Sequence, residues 1–410
     1  MGTEFDVIVA GGGAAGVAAA VGAAHAGAQV LLLERTGALG GAASLRGVIT
    51  YCGLYTFADE PQQAVRGVAQ QVIDGLEALG GISPVLRHRG VYRVFEPEAN
   101  KLVLDRICAG TGVTVRLHST LIEVARKDNR IIGVTVQDHG GRHRFTANGF
   151  VDATGEANLA HLGGASTRYG NDGAVNLGTL STRFGGIPRD VTITADLIAE
   201  AVAKARAAGT GPFAKDRSVV CRLPWSGDLV CYVASADYDA RDAAAFSQAE
   251  AAGREQAQAY LAAIRTIEGC GGAWLVSTGP EFGTRESRHL NCRYRLTWDD
   301  IGARRLFDDH IAWGAWGAEW HERSDFSSSM EPPPDRDRYS IPLGCLLSED
   351  TENLFAAGRT ADGDRKAGAS IRVMGTALAT GEAAGVAAAL HRTGTTADAA
   401  HVREFLDLPA

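Results

Sequence analysis

Chemistry-capable residues stand at both ends of this chain. Near the start, Gly11-x-Gly13-x-x-Gly16, with Ala14 and Ala15 inside it, is followed by Glu34. Glycines at this spacing permit a tight turn that brings a pyrophosphate against a helix N-terminus, and a carboxylate further on accepts hydrogen bonds from ribose hydroxyls. In the second half, "WGAWGAEWH" ends at His321, the first candidate for a general base, with a hydrogen-bonded structural histidine as the alternative. Arg285 and Arg288 in "GTRESRH" have the fork geometry for a carboxylate, and equally the neighbours, Glu286 and Asp299, for ordinary ion pairs. Tyr339 either faces a pocket or packs.

The glycine motif does its work only between a strand and a helix, and the flanking residues supply both. "FDVIVA" is a short β-branched run of the buried parallel type, Gly11 to Gly16 form the turn, an alanine-rich helix runs to Gly27, and "QVLLLER" is the next buried strand. Glu4 and Asp6 stand where a secretory signal would be basic, so this apolar start is not read as a targeting segment. From Val113 to about residue 150, alternating apolar and polar residues with turn signals at "KDN" and "HGG" predict a β-meander, ending at Asp152-Ala153-Thr154-Gly155. Residues 195–208 and 241–268 read as amphipathic helices, and "SVVCRLPWSGDLVCYVASA" as paired strands. Trp313, Trp316 and Trp320 have helical spacing, which fits a helix core face better than an aromatic cage.

With 45% hydrophobic residues, the chain has material for a large core. Its 40 basic against 48 acidic residues, without a basic block, argue against nucleic acid and anionic membranes as partners. Seven scattered cysteines without a CxxC pair fit neither a disulfide framework nor a zinc site, so a reducing cytoplasm and no metal are expected.

Further motifs carry a resemblance. The second glycine loop, "GALGGAAS" at 37–44, resembles the loop of glutathione-reductase-type flavoproteins that lies along the FAD pyrophosphate and ribityl chain. "YSIPLGCLLSEDTENLFAAGRTADGD" and "ASIRVMGTALATGEAAGVAAAL" resemble the closing segment of the bacterial FAD-dependent oxidoreductase family, and "GTRESRHLNCRYRLTWDDI" and "DDHIAWGAWGAEWH" its middle region. The resemblance implies an α/β fold: a Rossmann-like FAD-binding domain with a parallel sheet and β-meander, in three layers, plus an inserted α+β substrate domain. Residues 1–160 and 336–410 would form the FAD domain and 161–335 the cap. It also implies that FAD is touched, beyond the first glycine turn and Glu34, by Arg35, Gly40, Gly41, Ala42, Ser44, Leu121, Ala153, Thr154, Gly155, Gly358, Arg359, Arg372, Val373, Met374, Gly375 and Thr376. Tyr51 and Cys52 follow the second loop, where fumarate-reductase-type flavoproteins sometimes attach flavin covalently.

The expected activity is oxidation of a small organic substrate by hydride transfer to flavin N5, with O2 or a redox partner as electron acceptor. A monooxygenase, a double-bond reductase and a non-enzymatic FAD protein are the alternatives. Gly381, Gly385 and Ala389 recur at every fourth position, so the last long helix has a face nearly free of side chains. Its expected partner is the helix at 14–26, with backbone N–H groups near Val373 to Thr376 pointing at the flavin N1–C2=O edge. Packing alone is the competing explanation, and Glu382 argues against a membrane span.

Overall fold

The computed structural model describes residues 3–391 and 398–406. Five parallel strands form the central sheet in the spatial order Leu354–Ala356, Gly149–Asp152, Val7–Ala10, Val30–Leu33, Thr114–Arg116. "VIVA" and "VLLL" are buried throughout, as strands covered on both faces must be. The strand Leu354–Ala356 returns from the far end of the chain to pair beside Gly149–Asp152. Both termini of the chain therefore build one sheet.

The meander is shorter than the alternation predicts. Its antiparallel strands are Thr120–Lys127, Arg130–Asp138 and Gly141–Thr146. Thr114–Arg116 instead closes the edge of the central sheet beside Val30–Leu33. A half-exposed edge strand of a parallel sheet alternates just as a meander strand does, so the pattern alone does not separate them.

Helices Ala14–His25 and Met374–His391 pack backbone to backbone. A Cβ added at Gly381 or Gly385 would lie 2.2 or 1.9 Å from the carbonyl oxygens of Ala15 or Ala19. From the other side, one at Gly22 would lie 2.6 Å from the Glu382 carbonyl oxygen. Each glycine costs a helix about 0.5–1 kcal/mol relative to alanine, which the close approach must offset. The long helix is preceded by Arg365–Ile371, bent 89° away from it. Glu382 accepts a hydrogen bond from Val68 N–H (3.0 Å) at the start of helix Val68–Ala78, where Gly67 has no side chain to cap it. Among the described residues, no single helix is long and apolar enough to cross a membrane.

Residues 178–278 contribute a second sheet, in the order Val220–Arg222, Leu229–Ala236, Gly178–Gly185, Trp274–Thr278. Helices Ala195–Ala207 and Ala243–Ile264 supply Ile198, Val202, Tyr260 and Leu261 to the core they share with Leu180 and Phe184 of this sheet. The three tryptophans are not on a helix. Trp313 lies in strand His310–Gly314 and Trp320 in strand Ala318–His321, while Trp316 sits in the connection between them. Pairing with Tyr339–Pro342 and Ser328–Glu331 imposes extended backbone on a sequence whose spacing reads as helical. Nor do they form a cage: Arg338 stacks on Trp313, Arg365 on Trp320, and Phe57 meets Trp316 edge-on.

Candidate active site

Two glycine loops lie against each other at the ends of the central strands. Gly11 has φ +98°, and a Cβ there would lie 2.4 Å from the Ala153 carbonyl oxygen. At Gly16 a Cβ would be 1.7 Å from the Gly11 carbonyl oxygen, so both positions accept only glycine. Gly40 N–H donates to the Gly12 carbonyl (2.8 Å), and a Cβ at Gly41 would meet the Gly13 Cα at 2.9 Å. Ala14 and Ala15 open the first helix, and Ala42 and Ser44 lie in the short helix Ala42–Leu45, with the Ser44 hydroxyl turned onto the Leu39 carbonyl.

Glu34 is held beside this cradle. One carboxylate oxygen accepts Gly12 N–H (2.7 Å), and the other accepts the Thr36 N–H and hydroxyl (2.9 Å each). Each oxygen has acceptor capacity left. Asp152 is fully buried and holds the following turn by accepting Thr154 N–H (3.0 Å), the Thr154 hydroxyl (2.7 Å) and Ala160 N–H (2.9 Å). Burial raises its pKa, and these bonds reverse only part of the rise.

The start of the last long helix is seated on the turn around Gly53. A Cβ at Gly375 would lie 2.5 Å from the Cys52 carbonyl oxygen and 2.7 Å from Leu54 N, and one at Gly53 would meet Val373 and Thr376. Val373 and Met374 are buried, and Gly358, at φ +66°, faces Ala15. The Thr376 hydroxyl and Arg372 Nε are buried without hydrogen-bond partners. Side-chain-free loops that admit a phosphate, and a buried hydroxyl lacking a partner, fit a dinucleotide that reaches this corner. Burial pushes the Cys52 thiol pKa well up, with Glu319 adding to the effect, so the sulfur remains a thiol.

A cluster of charged side chains lies next to that corner. Glu319 and His321 share one face of strand Ala318–His321 because side chains repeat every two residues. His321 Nε2 is 3.4 Å from Glu319 Oε1, and Arg372 donates to the Glu319 backbone carbonyl (3.0 Å) with its Nη2 3.7 Å from Oε2. Arg285 Nη1 donates to the Leu177 carbonyl (2.6 Å) and the Thr179 hydroxyl (2.7 Å). The neighbouring Asn176 side chain accepts the His321 N–H (2.9 Å), so one segment positions both residues.

Electrostatics assigns protonation states. Burial first, then Arg285, push the His321 pKa down to about 3 against the pull of Glu319, and the ring is neutral at pH 7. Burial works to raise the Glu319 pKa, but His321, Arg372 and Arg285 together hold it well below the carboxylate range. Burial lowers the Arg285 pKa to about 10, leaving it charged. Lys215 comes from a loop whose backbone N–H and carbonyl are both bonded to the Tyr260 hydroxyl (2.8 and 2.6 Å). Burial and Arg285 lower its pKa to about 7, against Glu319.

Four of the expected site residues have side-chain partners within the protein. Tyr339 is buried under Gly314 with its hydroxyl on Ser370 (2.6 Å), so it packs. Arg35 turns outward to pair with Glu281. Leu121 packs with Phe5 and Ala147 against the meander's core. Arg359 pairs with Glu156 (2.9 Å), which Arg46 also approaches (3.3 Å), and both arginines donate to the Thr284 carbonyl. Conversely, Glu319 belongs to the cluster, Lys215 lies within reach of its charges, and neither is marked in the sequence. Period-two spacing from His321 points to Glu319, whereas Lys215 sits between ordinary loop residues and carries no local signal. Among the described residues, no group of three or more His, Cys, Asp or Glu is placed to hold a metal ion.

The model of a family described as "FAD dependent oxidoreductase" matches residues 6–406. Digeranylgeranylglycerophospholipid reductase 1 of Methanopyrus kandleri is 29% identical over 168 residues, 37% of this chain and 40% of that protein, so the chain matches less than half of that relative's length. Among solved structures, the myxobacterial chondrochloren halogenase CndH superposes with a TM-score of 0.52 at 16% identity, covering 98% of this chain and 78% of the halogenase. CabE, an aromatic hydroxylase from angucycline biosynthesis, gives 0.51 at 14% identity, over 98% and 65% of the two chains. At these identities the structural likeness is one of fold.

Proposed function

The chain belongs to the FAD-dependent oxidoreductase family, and from that premise we propose that it oxidises a small organic substrate, with the FAD-binding part built on the glutathione-reductase-type plan. Residues 1–160 and 336–410 form the FAD-binding part in this reading, and 161–335 the cap that selects the substrate. Gly11, Gly13, Gly16, Gly40 and Gly41 would hold the pyrophosphate, Glu34 a ribose, and the corner from Arg372 to Thr376 the ring system. FAD held there would supply the electron sink for the hydride. The N-terminus of helix Met374–His391 carries about half a positive charge, which favours the electron-rich state of the ring.

The observation that carries this reading is the state of His321. Its Nδ1 is buried with no partner, and Glu319 beside Nε2 favours the proton on Nε2, so the Nδ1 lone pair is free to take a proton. Glu319 orients the ring and stabilises the cation that forms, as a carboxylate behind a catalytic histidine does.

Anaerobic bleaching of the flavin band against hydroxy acids, amines, sugars and NAD(P)H tests the reading. With a substrate in hand, His321→Gln should slow flavin reduction by about 10²–10⁴-fold. The rate should show no loss on acidification until near pH 4, because a base with its pKa lowered to about 3 stays unprotonated above that range. An unchanged rate in the variant removes His321 from the chemistry. A second reading, reduction of the substrate, draws support from the similarity to the digeranylgeranylglycerophospholipid reductase. Bleaching by NAD(P)H alone would favour it.

A further inference from the structure

Next to the cluster stands a buried pair of ionisable groups that the proposed chemistry does not use, Glu286 and His289. His289 Nδ1 lies 3.0 Å from the Ala361 carbonyl oxygen, and Nε2 lies 3.2 Å from Glu286 Oε1. A carbonyl has no hydrogen to donate, and neither has an ionised carboxylate. Glu286 is the ionised partner, since its Oε2 accepts both the backbone N–H (3.0 Å) and the side-chain Nδ2 (2.9 Å) of Asn176. Burial works to raise the Glu286 pKa, and His289 with Asn176 holds it below the ordinary carboxylate value. Both ring nitrogens of His289 must therefore donate, and the ring is a cation. Arg168 and Arg295 turn to Asp362 instead (2.8 and 3.7 Å), which leaves His289 as the counter-charge of Glu286. Burying two charges brings little net stability, so what the pair fixes matters more than what it stabilises.

The backbone of His321 is what it fixes. Asn176 turns its Nδ2 to Glu286 and its Oδ1 to the His321 N–H (2.9 Å), and the next N–H, of Leu177, donates to the His321 carbonyl (3.0 Å). Arg285, the neighbour of Glu286 in the chain, grips the Leu177 carbonyl (2.6 Å). At its other end the pair is anchored through Ala361, on a turn whose Thr360 hydroxyl donates to the carbonyl of Asp152 at the end of a central strand (2.7 Å). We infer that Glu286, with cationic His289 behind it, is the positioning residue for His321: it holds Asn176 in the orientation that fixes the histidine's backbone, and it refers that position to the central sheet. This rests on the reading of His321 as the base and adds what sets its place. The charge decides which way the amide faces. Turned over, Asn176 would set its oxygen against Glu286 and its NH2 against the His321 N–H.

Nitrogen NMR of histidine-labelled, flavin-loaded protein reads both rings directly, with His289→Gln and His321→Gln assigning the signals. At neutral pH, His289 should show both ring nitrogens protonated and His321 only Nε2. Glu286→Gln offers an NH2 to His289 Nε2 and an oxygen to Asn176, so every hydrogen bond survives with a neutral ring. In that variant His289 should lose one ring proton while His321 is unchanged. Asn176→Ala should do the reverse, leaving His289 a cation and releasing His321, and Glu286→Ala should change both. Release is read by titration: the parent His321 should stay neutral from neutrality down to about pH 4.5, whereas in both alanine variants it should take up a proton within that window, as a loosened ring gains water. If alanine at either position prevents folding, Asn176→Ser, which keeps a hydroxyl in the space, is read in the same way. A neutral His289 in the parent protein, or a His289 still doubly protonated in Glu286→Gln, overturns the inference. So does a lower melting temperature in the alanine variants with His321 unchanged, which would make the pair a structural contact only. An unchanged flavin-reduction rate in His321→Gln sinks the base, and the two histidine signals still uphold or overturn the link between the pair and His321.

Discussion

The glycine frame and the charged cluster are built in opposite ways. In the frame, backbone touches backbone: Gly381 and Gly385 against Ala15 and Ala19, Gly375 against Cys52 and Leu54, Gly11 and Gly16 against Ala153 and Gly11. In the cluster, side chains from separate segments meet through charge: Arg285 and Arg372 act on Glu319 and His321, and Arg285 and Glu319 act on Lys215. A backbone contact has no slack, because any added atom must displace a chain. A charge cluster has slack in geometry and little in sign. Damage to the first should appear in folding and cofactor retention, and damage to the second in affinity and rate.

Gly385→Val should have the largest effect of the set. Its Cβ would lie 1.9 Å from the Ala19 carbonyl oxygen, so the two helices must part, at a cost of about 3 kcal/mol or more. A urea midpoint within error of the parent protein's would show that the helix contact has room after all. Gly375→Val comes next and separates the frame's two roles. It pushes on the Cys52–Leu54 turn, and it should lower FAD affinity and, in the protein that still binds, the flavin potential. A lower melting temperature with the potential unchanged would make this corner a packing device only.

Glu34→Gln replaces an acceptor-only group with one that accepts through a single oxygen. FAD affinity should drop by about 1.5–3 kcal/mol, the worth of a charged hydrogen bond, as measured by flavin titration of the apoprotein. The fold should survive, weakened where Gly12 or Thr36 N–H loses its partner. An unchanged dissociation constant would detach Glu34 from the ribose. The smallest effect belongs to Arg35→Ala. This side chain is half exposed and paired with Glu281, so both stability and FAD affinity should change by less than about 1 kcal/mol. A large loss of FAD would restore Arg35 to the cofactor set and blur the division between frame and cluster.

These two constructions also differ in how much of them can be read from residues in a row. Gly11, Gly16 and Gly375 are constraints that a single residue type satisfies, so their spacing between apolar runs already implies the strand, turn and helix around them. The same holds for the face of Gly381 and Gly385, whose partner helix follows from where small residues recur. The cluster carries no such mark. Arginine and glutamate are ordinary on any surface, and only folding takes Arg285 from the approach to a strand, Glu319 and His321 from another strand and Arg372 from a helix corner and brings them together. Desolvation there, with Arg285 close by, is what holds the His321 ring neutral. The tryptophans make the same point from the other side. Their spacing of three and four is a property of the chain, but strand pairing with Tyr339–Pro342 and Ser328–Glu331 overrode it, because hydrogen bonds to a partner strand outweigh a weak local preference. The sequence by itself determined the glycine frame, since absence of a side chain is a local property; the charged cluster is a property of distances, since a charge acquires its chemistry from what else lies beside it.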